Sequence, residues 1–160
     1  MTRRNAGKAA EGGRRSVARL SAVQALYQIE QSQAAVETVI DEILTLRLGQ
    51  DADGEQFAEP DQEMFCDLVR GVTARREEID KLVGQSLDRD RQVERLEVIL
   101  RAVLRAAAYE LLARPDIPAR VIMNEYVDVA HAFFSGSEPN LVNGVVDQLG
   151  RTLRPNEFQA

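Results

Sequence analysis

Arg15 and Arg19 stand four residues apart with Arg14 beside the first. On a helix that spacing puts two guanidinium groups on one face, where together they can grip phosphates. Ser16 reads as the N-cap of such a helix, and a helix start adds backbone N–H donors and the positive end of a dipole for an anion. The formal charge of −6 argues against a polyanion ligand, because phosphate binding needs cations that displace counterions. Its distribution argues the other way. Residues 1–20 hold Arg3, Arg4, Lys8, Arg14, Arg15 and Arg19 against Glu11 alone, about +5 here against about −11 for the remainder. The competing reading is that these arginines are simply solvated at an exposed helix start, and composition alone does not decide between the two.

Other chemistry lacks its residues. His131 is the one histidine and Cys66 the one cysteine, so paired-histidine and zinc-cluster ligation are excluded, as is an internal disulfide. Each is read as packing: His131 at the edge of the core, Cys66 as a small buried or half-buried thiol. The acidic run Asp51, Asp53, Glu55, Glu59, Asp61 and Glu63 hints at calcium, but an EF-hand loop needs glycine at its sixth position and Gly54 falls at the fourth. A solvated acidic loop is the expectation. There is no glycine-rich phosphate cradle between strand and helix, no GxSxG elbow, and no pattern setting two carboxylates in an apolar pocket. The expectation is a protein without catalytic apparatus, metal or cofactor.

The elements that would position these groups all read as helices. At 160 residues the chain suits one domain or two closely packed helical halves. Leu20, Val23, Leu26 and Tyr27 form the stripe of a first helix from Ser16. Val36, Val39, Ile40, Ile43 and Leu44 form that of a second, ending near Gly49. Pro60 opens a third, whose stripe from Phe65 to Leu87 runs past Gly71 and Gly84 with a break expected near either glycine. Leu96 to Leu111 is the clearest helix, stopped by Pro115, and Pro118 starts the next. Leu141, Val142, Val145, Val146 and Leu149 make the last. Asn143 and Gly144 interrupt that stripe and are assigned to close helix packing or backbone access, while Asn124 and Glu125 are assigned to internal polar bonding. No run alternates as a strand would, so the fold class is all-α with about six to seven helices. Residues 1–13 read as a disordered basic arm and 156–160 as a tail. The body at 14–155 divides into halves at about 14–87 and 93–155, with seams at the acidic loop and the Gly84–Gln92 region. No apolar run at the N-terminus suggests a signal or spanning helix, which points to the cytoplasm.

Five blocks, GRRSVARLSAVQALYQ, DLVRGV, LRAVLRAAAYELL, DIPARVIMNEYVDVAHAF and LVNGVVDQLGRTLRP, occur in order and resemble the successive signature blocks of the NusB family from about Arg14 to Pro155. The resemblance implies two packed helical subdomains. It also implies a transcription antitermination factor that binds the boxA element of ribosomal RNA leaders together with NusE, a small-ribosomal-subunit protein, within an RNA polymerase antitermination complex. Such single-stranded RNA is held by phosphate clamping and contacts to splayed bases.

Carried onto matching positions, the resemblance implies RNA contacts by Arg14, Arg15, Arg19 and Arg91, and by Ser137 and Asn140 in the turn before the last helix, where SEPN replaces a more basic segment of some relatives. It implies partner contacts by Tyr27, Glu94 and Leu141; the competing readings are a core tyrosine and a capping glutamate. NusB-like domains also begin ribosomal RNA cytosine methyltransferases, for whose catalytic domain a chain ending at Ala160 has no room. A helical protein-interaction module, as a homodimer with the arginine face buried, is the other alternative.

Overall fold

The computed structural model describes the backbone of residues 3–52 and 60–159 and the side chains of residues 13–46 and 60–159. Asp51, Asp53, Glu55 and Glu59 of the acidic run have side chains outside this range. Among the described residues there are seven α-helices and no strand: α1 Arg3–Ser32, α2 Val36–Ala52, α3 Gln62–Ala74, α4 Arg76–Ser86, α5 Val98–Ala113, α6 Ala119–Phe133 and α7 Glu138–Leu153. Short 3-10 turns occupy Val93–Arg95 and Pro155–Phe158. The all-α expectation holds, and no described helix is long and apolar enough to cross a membrane.

Several boundaries differ from the sequence reading. The stretch read as a disordered arm is helical backbone from Arg3, which leaves Ser16 inside α1 rather than at its cap. Ala, Arg and Lys are good helix formers, and adding a turn to an existing helix needs no new nucleus. Beyond Gly49, α2 continues to Ala52. Pro60 and Asp61 precede α3, and Asp61 supplies its cap: the Met64 N–H donates to Asp61 Oδ1 at 3.0 Å. The expected break comes at neither glycine but at Arg75, whose φ of −112° and ψ of 25° end α3 and begin α4. The chain divides into two compact units, Met1–Arg70 and Gly71–Ala160, so the division falls inside α3 and not at the link near residues 88–92.

In the first unit α1 packs on α2. Ala18, Ala22, Val23, Ala25, Leu26, Val39, Ile40, Met64, Phe65, Leu68 and Val69 are buried. Arg70 and Glu37 form a two-toothed ion pair at the surface, both bonds 2.7 Å. The hydrogen bond and charge of Arg70 hold the Glu37 carboxyl below its ordinary range, while burial pushes the Cys66 thiol up.

The second unit is built around α5, on which α4, α6 and α7 all pack. Every residue from Leu100 to Leu111 is buried, Arg101, Arg105 and Glu110 included. Arg105 donates to both Asp80 oxygens on α4, at 2.7 and 3.0 Å, and the Tyr126 hydroxyl of α6 donates to Glu110 Oε1 at 2.7 Å. Gly71 lies directly against Tyr109, so that a Cβ there would overlap the tyrosine ring.

The end of the body at Arg154, with Glu157 and Phe158 of the segment read as a tail, closes the unit. The Arg154 guanidinium donates to the backbone oxygens of Glu110, Leu111, Arg114 and Ile117; Glu110 and Arg114 already accept from the N–H groups of Arg114 and Ile117, so for them the guanidinium adds a second bond at the end of α5 and in the following link. Glu157 Oε1 accepts from the Ala119 N–H at 3.0 Å and so caps α6. The guanidinium groups of Arg120 and Arg151 lie over the Phe158 ring, 5.5 and 5.1 Å from its centre.

Two outcomes follow for stability. Gly71→Ala must displace the Tyr109 ring from a packed core, and thermal or urea unfolding should show a loss of about 1–3 kcal/mol; an unchanged midpoint would contradict the packing. The Ala119 bond and the Arg154 charge hold the Glu157 carboxyl below its usual range. Its contribution is therefore complete above the unfolded pKa and lost as pH falls through the lower folded value. An NMR titration of the Ala119 amide should turn over below the ordinary glutamate range, and a midpoint at the ordinary value would refute the bond.

Candidate nucleic-acid interface

On α1 the three arginines of the sequence reading separate by burial. Arg14 is exposed and Arg15 half-buried, while Arg19 is only 2% exposed and engaged within the fold. The four-residue spacing does place Arg15 and Arg19 on one face. By the next turn, however, that face carries Ala18, Ala22, Val23 and Leu26 and has become the core of the first unit. A guanidinium there must be satisfied internally, so the structure removes Arg19 from a surface clamp and leaves the exposed Arg14 with the half-buried Arg15, which is itself partly engaged within the fold. The backbone oxygen of Arg14 accepts from the Asp61 N–H at 3.0 Å, which ties this turn of α1 to the start of α3.

Tyr27 lies two turns beyond Arg19, at the margin of the buried face of α1, and is 40% exposed, as an interface tyrosine requires and a core tyrosine does not. Leu46 and Val121 are the other large apolar side chains exposed among the described residues.

In the second unit Arg91 is exposed on a turn closed by its N–H to the Asp88 oxygen at 2.9 Å. Glu94 is exposed in the 3-10 turn Val93–Arg95. The capping role weighed for Glu94 belongs instead to Glu97, whose carboxylate accepts from the N–H groups of Ile99 and Leu100 at 2.9 and 3.0 Å.

Ser137 and Asn140 are exposed and Leu141 half-buried at the start of α7. The Ser137 carbonyl accepts from the N–H groups of both Asn140 and Leu141, at 3.1 and 3.2 Å. Here the Glu138 carboxylate folds back over Gly136, and its Oε2 is buried without a hydrogen-bond partner among the described residues. A desolvated negative charge beside Ser137 and Asn140 opposes a phosphate at this turn.

Three further readings change. His131 is exposed in the last turn of α6, not at a core edge. Asn124 is exposed, and the buried polar pair near it is Tyr126 with Glu110. Gly144 is exposed with open space where its Cβ would stand, so no close packing among the described residues requires it, which leaves backbone access of the two roles expected. Sequence reasoning also passed over Arg101, Arg105 and Arg154. The first two carried a signal, since two charges four residues apart interrupt the most apolar stretch of the chain.

Comparison with known proteins adds a family. The NusB family model matches residues 16–151. The Transcription antitermination protein NusB of Caulobacter vibrioides is 47% identical over 140 residues, 88% of this chain and 94% of that protein. Among solved structures, T. maritima NusB superposes with a TM-score of 0.74 at 27% identity, covering 91% of this chain and 97% of its own. A crystal structure of antitermination factors NusB and NusE in complex with double-stranded RNA superposes at 0.69 and 23% identity, over 86% of this chain and 96% of that one. This last likeness speaks to the fold alone.

The separation of the arginines has a measurable consequence. Arg19→Met removes a buried guanidinium that is engaged within the fold and should destabilise the protein by about 3 kcal/mol in thermal unfolding. Arg14→Ala with Arg15→Ala should lie within about 1 kcal/mol of the parent. Equal losses in the two variants would contradict the burial pattern.

Proposed function

The chain belongs to the NusB family, and from that premise we propose that it is a transcription antitermination factor that binds a boxA-type element of ribosomal RNA leader transcripts together with NusE. One observation carries the reading: the family match along residues 16–151. The exposed position of Arg14 and the half-exposed position of Arg15 agree with it.

In this reading Arg14 and Arg15 clamp phosphates from α1, and Arg91 offers a further cation from the second unit. Two guanidinium groups beside an acidic body give a local field that attracts RNA without making the whole protein a nonspecific polyanion binder. Ser137 and Asn140 contribute hydrogen bonds to bases or sugars rather than to phosphate, given Glu138 beside them. Tyr27, Glu94 and Leu141 face NusE. Tyr27 brings a rigid ring with a hydroxyl at its edge, and Glu94 an acceptor for a basic group of the partner. The assembly acts in the cytoplasm on transcribing RNA polymerase, and the RNA is read without being chemically changed.

The test is a fluorescence titration of labelled boxA RNA, with and without NusE, at two salt concentrations. Binding should be tighter with NusE present and should weaken as salt rises. Reversal of both arginines, Arg14→Glu with Arg15→Glu, should reduce the slope of log K against log salt by about 1.4, at about 0.7 per phosphate contact on a single strand. Equal RNA affinity with and without NusE would overturn the joint-binding reading. An unchanged slope in the double variant would overturn the clamp. A protein-interaction module would give no RNA binding in any arm.

A further inference from the structure

Arg101 belongs to α5 and is 8% exposed, yet what it holds lies outside that helix. One of its nitrogens, Nη1, donates to two backbone oxygens of the preceding segment, that of Glu94 at 3.2 Å and that of Leu96 at 2.8 Å. The turn so held is only three residues long. Its own bonds are the Arg95 N–H to the Gln92 oxygen at 3.0 Å and the Leu96 N–H to the Val93 oxygen at 3.2 Å. A 3-10 turn of that length has poor hydrogen-bond geometry and little cooperativity. Its backbone direction is therefore set from outside, by Arg101 beneath it and by the Glu97 cap after it.

One turn along α5, Arg105 joins the helix to Asp80 of α4, a role any bundle needs. Arg101 reaches from the helix to this exposed turn. The one charged side chain whose own carbonyl Arg101 grips is Glu94, which points to solvent.

We propose that Arg101 is a positioning residue for the protein-partner contact: from inside α5 it fixes the backbone from which Glu94 projects, so that the carboxylate meets a basic group of the partner already oriented. The inference rests on the reading of Glu94 as a NusE contact. Holding a charged side chain in its bound direction lowers the ordering entropy lost on association, and the gain appears as affinity without Arg101 touching the partner.

The test is a double-mutant cycle on the full chain, reading NusE affinity by calorimetry beside thermal unfolding. Arg101→Met, which removes both bonds, should weaken NusE binding about three- to tenfold. Arg101→Lys should stay within about twofold of the parent, because both bonds leave from one nitrogen and an ammonium can supply them. In a Glu94→Gln background Arg101→Met should have no further effect. RNA affinity without NusE should be unchanged throughout.

A loss of equal size in both backgrounds would overturn the positioning role while leaving Glu94 a partner contact. No loss for Arg101→Met in the parent would do the same. Undiminished NusE binding by Glu94→Gln alone would overturn the partner reading of that residue, and the proposal with it. Should Arg101→Met unfold at the assay temperature, Arg101→Gln enters the same cycle, and the Lys rescue is judged against it.

Discussion

A helix buried on every side cannot carry charge unless each charge is answered, and α5 carries three. The unpaired burial of a guanidinium or carboxylate would cost several kcal/mol, comparable to the whole stability of a domain. Each answer recruits a different neighbour. Arg105 takes Asp80 and so fixes α4, Glu110 takes the Tyr126 hydroxyl and so fixes α6, and Arg101 takes the turn before α5. Apolar packing alone would tolerate these elements sliding or rotating about α5. The polar pairs give each neighbour one register, which is how a core built mostly of Ala, Val and Leu side chains specifies a single arrangement.

The exposed chemistry is consequently concentrated where the scaffold ends. Arg91 and Glu94 sit on short turns just before α5, and Ser137 and Asn140 at the start of α7. In the first unit the same division appears along a single helix: Arg14 lies outside, Arg15 at the edge and Arg19 in the core. Three arginines within six residues thus have three different electrostatic environments. A hydrated guanidinium such as that of Arg14 can exchange water for phosphate at little loss, whereas one engaged inside, as Arg19 is and Arg15 is in part, would have to give up internal interactions first.

Much of this was legible in the residues. The helices and their buried stripes follow from three- and four-residue spacing, and Leu100, Val103, Leu104, Ala107 and Leu111 are buried as that spacing requires. The family blocks identified the architecture before any coordinate. What the pattern could not supply was the absolute orientation of a face at its margin. The spacing of Arg15 and Arg19 says that they are neighbours, but not whether the face they share looks outward. The same gap accounts for His131 and Asn124, whose exposure depends on where the neighbouring helix stops covering α6. The break at Arg75 escaped because no glycine or proline marks it: Gly71, the obvious breaker, is there for Tyr109 to pack on. Gly144 shows the opposite case: of close packing and backbone access, the two roles its place in the stripe suggests, the open space beside it removes the first.

The bonds from Arg154 run back over 40 or more residues to the oxygens of Glu110, Leu111 and Arg114. A ribosome releases the chain from its N-terminal end, so α5, α6 and α7 all emerge before the side chain that satisfies the carboxyl end of α5. Until then the backbone oxygen of Leu111 must be served by water, and the most buried helix in the second unit keeps a wet end. That end of the second unit is therefore finished only once Arg154 is available, and a nascent chain still tethered short of it holds α5 without this closure.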